Sequence, residues 1–344
     1  MKKNIFISLI VLSVLSACQN QDWEFPNYDY TTVYFAYQSP VRTIELGDDT
    51  LYDNTLDKQH QCLIMATTGG AYQNKKDIII NVAVDNTLCD SLRFESASGD
   101  SVIAMPANFY NLPSDMQIVI PAGKVNGGIK VQLTDAFFAD PRSIKKTFVI
   151  PLRMTSVINA DSILSGTSNL TDPDPRVAGD WSIQPKDYIL YAIKYINPWH
   201  GTYLRRGIDI VKGNGGNTAL DTTIVYHKNF VENDELVYAY TKSLTEDTMS
   251  LKAKNVGNID VNFTLILNFD NDGKCTITNP ATASYTITGN GEFLKNGDIW
   301  GNAKRDVLHL QYSADFGNTT HTFTDTIVLR DRGIKFETFT PVIP

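Results

Sequence analysis

Beyond its first seventeen residues, this 344-residue chain has no run of eighteen apolar residues, so nothing there is long enough to cross a membrane as a helix. It also lacks a long basic run, and its formal charge is −8. An acidic chain without a local cationic patch has no electrostatic reason to seek nucleic acid or anionic lipid. Cysteine is scarce. Cys18, Cys62, Cys89 and Cys275 show no C-x-x-C spacing, and no histidines stand at zinc-ligand spacing beside them. Cys62 and Cys89 are either a disulfide of an oxidising compartment or two small buried apolar residues.

Catalytic signatures are missing as well. There is no G-x-S-x-G, no H-E-x-x-H, no phosphate-binding loop and no dinucleotide fingerprint. Glycoside hydrolysis needs only two facing carboxylates, but with 38 acidic residues some pair can always be nominated, so nomination carries no information. His309 and His321 face one another in sequence across the turn around Asp315, and are expected to be solvent-facing rather than a two-histidine metal site. The expectation is a protein that is not an enzyme and uses no metal or organic cofactor.

The N-terminus holds the most specific signal. Met1-Lys2-Lys3 is followed by an apolar stretch from Ile5 to Leu15, broken only by Ser8 and Ser13, and then by Leu15-Ser16-Ala17-Cys18. A basic start, a short apolar segment and small residues before a cysteine make a bacterial lipoprotein leader, residues 1–17, with Cys18 as the lipidated residue. Removal of the leader leaves 327 residues and takes the charge to −10, because Lys2 and Lys3 go with it. Residues 18–30 are polar and aperiodic and read as a tether.

From Thr31 onward the pattern is that of short strands. In Ile78-Ile79-Ile80-Asn81-Val82-Ala83-Val84 the even positions are all β-branched, as one face packed on a core requires. About seven such runs between residues 31 and 160 predict an immunoglobulin-like β-sandwich. Residues 161–180 are dense in Ser, Thr, Asp, Pro and Gly and read as a linker. Roughly ten further runs, beginning with Tyr188–Ile196, predict an antiparallel β-barrel over 181–344, since closing a sheet removes its edges. The fold class is all-β.

The stretch Ile196-Asn197-Pro198-Trp199-His200-Gly201-Thr202-Tyr203-Leu204-Arg205-Arg206-Gly207, with Asp325-Thr326-Ile327-Val328-Leu329-Arg330-Asp331-Arg332-Gly333-Ile334-Lys335-Phe336-Glu337, resembles a Bacteroidota family. Its members are two-domain surface lipoproteins found beside SusC/SusD-type glycan-uptake systems. Thr32-Val33-Tyr34-Phe35-Ala36 and Phe148-Val149-Ile150-Pro151-Leu152 are similar to the ends of that family's immunoglobulin-like domain. The resemblance implies a calycin-like barrel and an outer-membrane protein facing the cell exterior. It also implies a poly- or oligosaccharide as ligand and a SusC/SusD-type transporter as partner, with the lipid as the one membrane contact. Asp22 and Glu24 resemble the phylum's surface-export signal, and Asp161-Ser162-Ile163 its O-glycosylation acceptor.

A sugar ring offers an apolar C–H face that stacks on indole or phenol, while its hydroxyls need planar polar partners. Trp300 is predicted to lie in a polar, glycine-flanked loop, with Asn296, Asp298 and Asn302 around it, and is the leading platform. Trp199 and Tyr203 are either ligand contacts at a barrel mouth or structural aromatics closed against Arg330. Trp181 is expected to pack between the domains or cap the barrel, and Trp23 lies in the tether. The reading is a non-catalytic glycan-binding surface lipoprotein whose sandwich is a spacer and whose barrel binds. Its rivals are an adhesion or assembly module that binds protein, and a small-molecule or lipid carrier that uses the barrel interior.

Overall fold

The structure is a computed structural model that describes residues 28–49, 52–71, 73–254 and 259–344. Cys18 and Trp23 lie outside the described residues, and with them the leader, anchor and tether readings.

Eight principal strands build the first domain: β1 (Thr32–Tyr34), β2 (Pro40–Glu45), β3 (Gln61–Gly69), β4 (Ile78–Val84), β5 (Gln117–Ile120), β6 (Asn126–Leu133), β7 (Phe148–Ile158) and β8 (Tyr188–Ile196). They form one continuous ladder, β1-β3-β6-β5-β4-β7-β8-β2, folded over into a sandwich-like body. The period-two pattern decides which side chains face inward. Ile78, Ile80 and Val82 of β4 are buried, as are Ile64, Ile118, Ile129 and Val131 on neighbouring strands. Phe137 and Phe148 fill the centre of this core, each edge-on to Phe109.

The strand expected to open the second domain belongs to the first. β8 pairs antiparallel with β7, Phe148 opposite Ile193, and parallel with β2, Ala192 opposite Val41. Its residues are buried on both faces, as a central strand covered on both sides must be. The proposed linker also docks on this domain. Ser162–Ile163 pairs with β1, and Arg176 donates to the carbonyls of Leu88 and Asp90. Trp181 donates its indole N–H to Asp174 O at 2.7 Å, so it anchors this segment rather than capping the barrel. The C-terminal residues return as well: Glu337–Thr338 pairs with β2, and Pro341–Val342 pairs with Arg93–Phe94.

The barrel therefore occupies the chain from Gly201 to Asp331. Its strands are β9 (Gly201–Gly213), β10 (Thr222–Tyr226), β11 (Glu235–Thr241), β12 (Glu246–Lys254), β13 (Asp260–Phe269), β14 (Lys274–Thr278), β15 (Thr286–Trp300), β16 (Ala303–Asp315) and β17 (Thr319–Asp331). Eight of these close a ring, β9-β11-β12-β13-β14-β15-β16-β17-β9, antiparallel throughout, and β10 pairs with the second half of β9. Side chains fill the interior. Phe263, Leu265, Leu267, Leu310, Tyr312, Phe323 and Ile327 are among the buried residues.

Polar groups share that interior. Arg205 donates to Asp325 at 3.0 Å, Tyr312 donates its hydroxyl to the same carboxylate at 2.8 Å, and neither ion-pair side chain is exposed. Burial opposes the Arg205 charge, but Asp325, Tyr312 and Glu235 together outweigh it and hold the guanidinium above its ordinary pKa. Gly207 has to be glycine here, because a Cβ would lie 2.0 Å from Asp325 Oδ1. Deeper along the same strand, Asp209 meets His321 Nδ1 at 2.8 Å.

His321 is thus buried, not solvent-facing, and His309 lies opposite Thr326 rather than opposite His321. Among the described residues no group of three His, Cys, Asp or Glu is placed to hold a metal ion. Cys62, Cys89 and Cys275 are buried free thiols. Cys62 sits in the main sandwich core and Cys89 in a separate cluster around Leu88 and Phe94, so the two are not a disulfide.

Removing one member of a buried pair strands the other charge, at a cost of about 3–5 kcal/mol. Asp325→Ala is expected to lower the unfolding free energy by about that amount in urea titrations. An Arg205→Met, Asp325→Leu double variant should recover most of the loss.

Candidate functional site

A groove of about 930 Å³ lies on the first domain and not on the barrel. It opens between the two ends of the ladder, where β2 comes round towards β1 and β3. One wall comes from Tyr34 of β1 and Tyr37 beyond it, and another from Tyr52 in the loop that follows β2. Leu63, Met65 and Thr67 of β3 contribute with Asn126 of β6, while Ile334–Phe336 of the C-terminal segment forms the remaining side. Beneath the groove the Tyr191 hydroxyl donates to Leu63 O at 3.2 Å, which ties β8 to β3.

Three large rings around this groove are exposed to solvent: Tyr37 at 55%, Tyr52 at 60% and Phe336 at 65%. Tyr37 and Phe336 lie against one another, their centroids 4.8 Å apart and their planes inclined by 53°. Phe336 is held there by its neighbour Glu337, which pairs in register with Val41 and accepts from Lys194 at 3.0 Å. Exposed aromatic side chains in a concave site are the feature that apolar ring faces recognise.

Under the rings is a compensated polar floor. Arg42 contacts Asp57 at 2.5 Å, and the other Asp57 oxygen accepts the Glu45 backbone N–H at 3.1 Å. Burial raises the Asp57 pKa, while Arg42 opposes that shift. Glu45 is pushed up to about 8, first by burial and then by the Asp49 carboxyl beside it, with Arg332 pulling the other way. Both raising effects favour its protonated form.

The residues singled out from sequence lie elsewhere. Trp300 is only 9% exposed. It ends β15 and packs with Val307 and Val328, and the Arg206 guanidinium lies 4.7 Å from its ring centroid. Residues 296–302 are not a loop: β15 continues through them with a bulge between Leu294 and Asp298, and only Gly301 and Asn302 make the turn, both at positive φ. Asn296, also at positive φ, sits in the bulge with its N–H on Asp306 and lines a smaller cleft where the two domains meet. Asp298 pairs in register with Arg305 and accepts from the Ile299 N–H. The structure therefore does not gather Asn296, Asp298 and Asn302 around an exposed indole.

Trp199 and Tyr203 take their structural alternative. Trp199 is 8% exposed and stacks on Phe269 with centroids 4.0 Å apart and planes 8° from parallel. Tyr203 is fully buried and donates its hydroxyl to Trp199 O at 2.5 Å. The arginine that closes this corner is Arg332, not Arg330. Arg332 donates to Pro198 O, to His200 O at 2.9 Å and to Asp48 O at 3.3 Å, whereas Arg330 is half exposed beside Asp331. The groove escaped the sequence reading because Tyr37, Tyr52 and Phe336 are scattered over some three hundred residues. No local pattern announces that the C-terminus comes back.

Comparison with known proteins gives a family but no activity. Residues 198–333 match the Domain of unknown function DUF5627, which coincides with the barrel, and residues 27–161 match a model described as an N-terminal domain. A Bacteroides ovatus structural-genomics protein of unknown function, solved by crystallography, is 42% identical. The match covers 92% of this chain and 100% of that one, with a TM-score of 0.84. A multidomain protein including DUF1735, also from Bacteroides ovatus, is 11% identical over 89% of this chain and 97% of its own, with a TM-score of 0.39, too slight a likeness to argue from. No curated protein matches the sequence. The chain belongs to the two-domain family of that 42%-identical Bacteroides protein, in which this N-terminal domain precedes a DUF5627 barrel.

Proposed function

We propose that the protein is a non-catalytic glycan-binding lipoprotein. It is anchored through Cys18 in the outer membrane, faces the exterior, and captures a poly- or oligosaccharide for a SusC/SusD-type transporter. The observation that carries the binding reading is the groove of the first domain, where Tyr37, Tyr52 and Phe336 present more than half of their surface to solvent. A pyranose stacks its C–H face on such rings, and Asn126, Thr67 and the tyrosine hydroxyls supply partners for its hydroxyls. The anchor reading rests on the leader sequence, Met1-Lys2-Lys3, the apolar stretch Ile5 to Leu15 and Leu15-Ser16-Ala17-Cys18.

This reading moves the ligand from the barrel to the sandwich. The barrel interior is taken up by Phe263, Tyr312, Phe323 and the Arg205–Asp325 pair, which gives the carrier reading nothing to build on. The adhesion reading is separated by the same experiment as the glycan reading.

Purified mature protein run in native gels cast with a panel of polysaccharides is expected to be retarded by at least one of them. Tyr37→Ala or Phe336→Ala should weaken that retardation about tenfold, equivalent to ~1.4 kcal/mol per ring. A folded double variant that migrates like the wild type sinks the groove as the binding site. Trp300→Ala should behave in the opposite way, losing about 3 kcal/mol of stability through the cavity it leaves, with retardation unchanged.

A further inference from the structure

The charges around the groove cancel, and this restricts its ligand. Arg42, its side chain 37% exposed, pairs through one guanidinium nitrogen with Asp57 at 2.5 Å, an aspartate whose side chain is 2% exposed. Glu45, itself 2% exposed, lines the same floor. The groups that face it are the Asp49 carboxyl from the loop, Asp57 from the short helix Thr55–Lys58, and the Arg332 guanidinium, 3.8 Å away, from the C-terminal segment. At the rim Lys335 and Asp53 contribute one charge of each sign. The rest of the lining consists of phenol, phenyl, aliphatic, thioether, amide and hydroxyl groups.

We propose that the groove takes an uncharged glycan chain and rejects polyanionic ones such as uronate-rich or sulfated polysaccharides. The inference rests on the groove being the glycan site. A carboxylate or sulfate placed there meets no net positive charge, because Asp57 already offsets Arg42 at the floor and Asp53 offsets Lys335 among the lining residues. A neutral chain needs no counter-charge and pairs its hydroxyls with Asn126, Thr67 and the tyrosines. Burial, which pushes the Glu45 pKa up to about 8, disfavours a negative charge there. The net charge of −8 on the whole chain acts in the same direction, though it is screened beyond about 8 Å at physiological salt.

The test uses two sets of gels near pH 6.5. One set contains neutral polysaccharides (galactomannan, xyloglucan, arabinoxylan, mixed-linkage glucan and starch), the other polygalacturonate, alginate and chondroitin sulfate. The wild type and the Tyr37→Ala, Phe336→Ala double variant are run in both. Retardation by a neutral polysaccharide is expected. It should be lost in the variant and change less than about twofold from about 20 to about 500 mM NaCl, because no counterions are released. Groove-dependent retardation by an anionic polysaccharide, weakening steeply with salt, overturns the charge inference and leaves the glycan reading standing. No retardation by either set overturns both, and a folded wild type, checked by circular dichroism, makes that outcome decisive.

Discussion

One guanidinium holds the architecture at the point where every other feature meets. Arg332 leaves the last barrel strand and donates to the carbonyls of Pro198 and His200, which flank the entry to the first barrel strand, and to Asp48 O on the first domain. A charged donor bonded to several backbone carbonyls is both strong and directional, so it fixes three chain segments relative to one another. Gly47 makes room for it, since a Cβ there would lie 2.7 Å from the guanidinium carbon. On the other side of the corner Asn197 is fully buried. Its amide N–H groups reach Asp247 at 2.5 Å and Ser243 O at 3.0 Å, while its side-chain oxygen accepts from the Trp199 and His200 N–H groups. The passage from sandwich to barrel is therefore a bonded corner, braced further by Lys58 and Lys295, both on Asp48.

Most of the fold could be read from residue order, because a half-buried strand writes its period into the chain. Ile78, Ile80 and Val82 point inward as their alternation requires, and the class of both domains follows from such runs. The reading failed where both faces of a strand are covered. Tyr188–Ile196 is apolar on both faces because it lies between β7 and β2, and nothing local says which domain covers it. It failed again in β9, where the usual polarity is inverted. Arg205 and Asp209 point inward to carboxylate and imidazole partners, while Ile208 and Ile210 are 45% and 44% exposed. A buried polar network cannot be inferred from one strand, since its partners Asp325 and His321 stand more than a hundred residues away. The Arg205–Asp325 and Asp209–His321 pairs form in one alignment only, which favours a single strand register.

The site was less legible than the fold, for a related reason. Glycine and polar residues around Trp300 suggested a loop, but Gly297 and Asn296 mark a bulge within a strand, and the indole is covered by Arg206. Glycine in a strand signals a bulge as readily as a turn, and sequence alone does not separate the two. Trp199 was read with both alternatives open, and its parallel stack on Phe269 settles it as core. The aromatics that do face solvent gave no such local cue. Phe336 lies at the groove because Glu337 pairs with Val41 across the whole length of the chain.

That long-range pairing changes what the barrel is for. The sandwich supplies the groove floor and two of its aromatic rings, but the third ring reaches the site only through the barrel: β17 ends at Asp331, Arg332 locks the exit, Gly333 turns at positive φ, and Phe336 then meets Tyr37 at 4.8 Å. A loop of some ten residues would be enough to bring a phenylalanine to that edge, but it would have to be ordered on each binding event. Fixing one residue costs roughly 1–2 kcal/mol, which for several residues exceeds what a single stacked ring returns. By closing the barrel and clamping its exit, the chain meets that ordering cost during folding, and the groove is preformed. The barrel is the frame that positions one wall of the first domain's groove, to which both domains contribute.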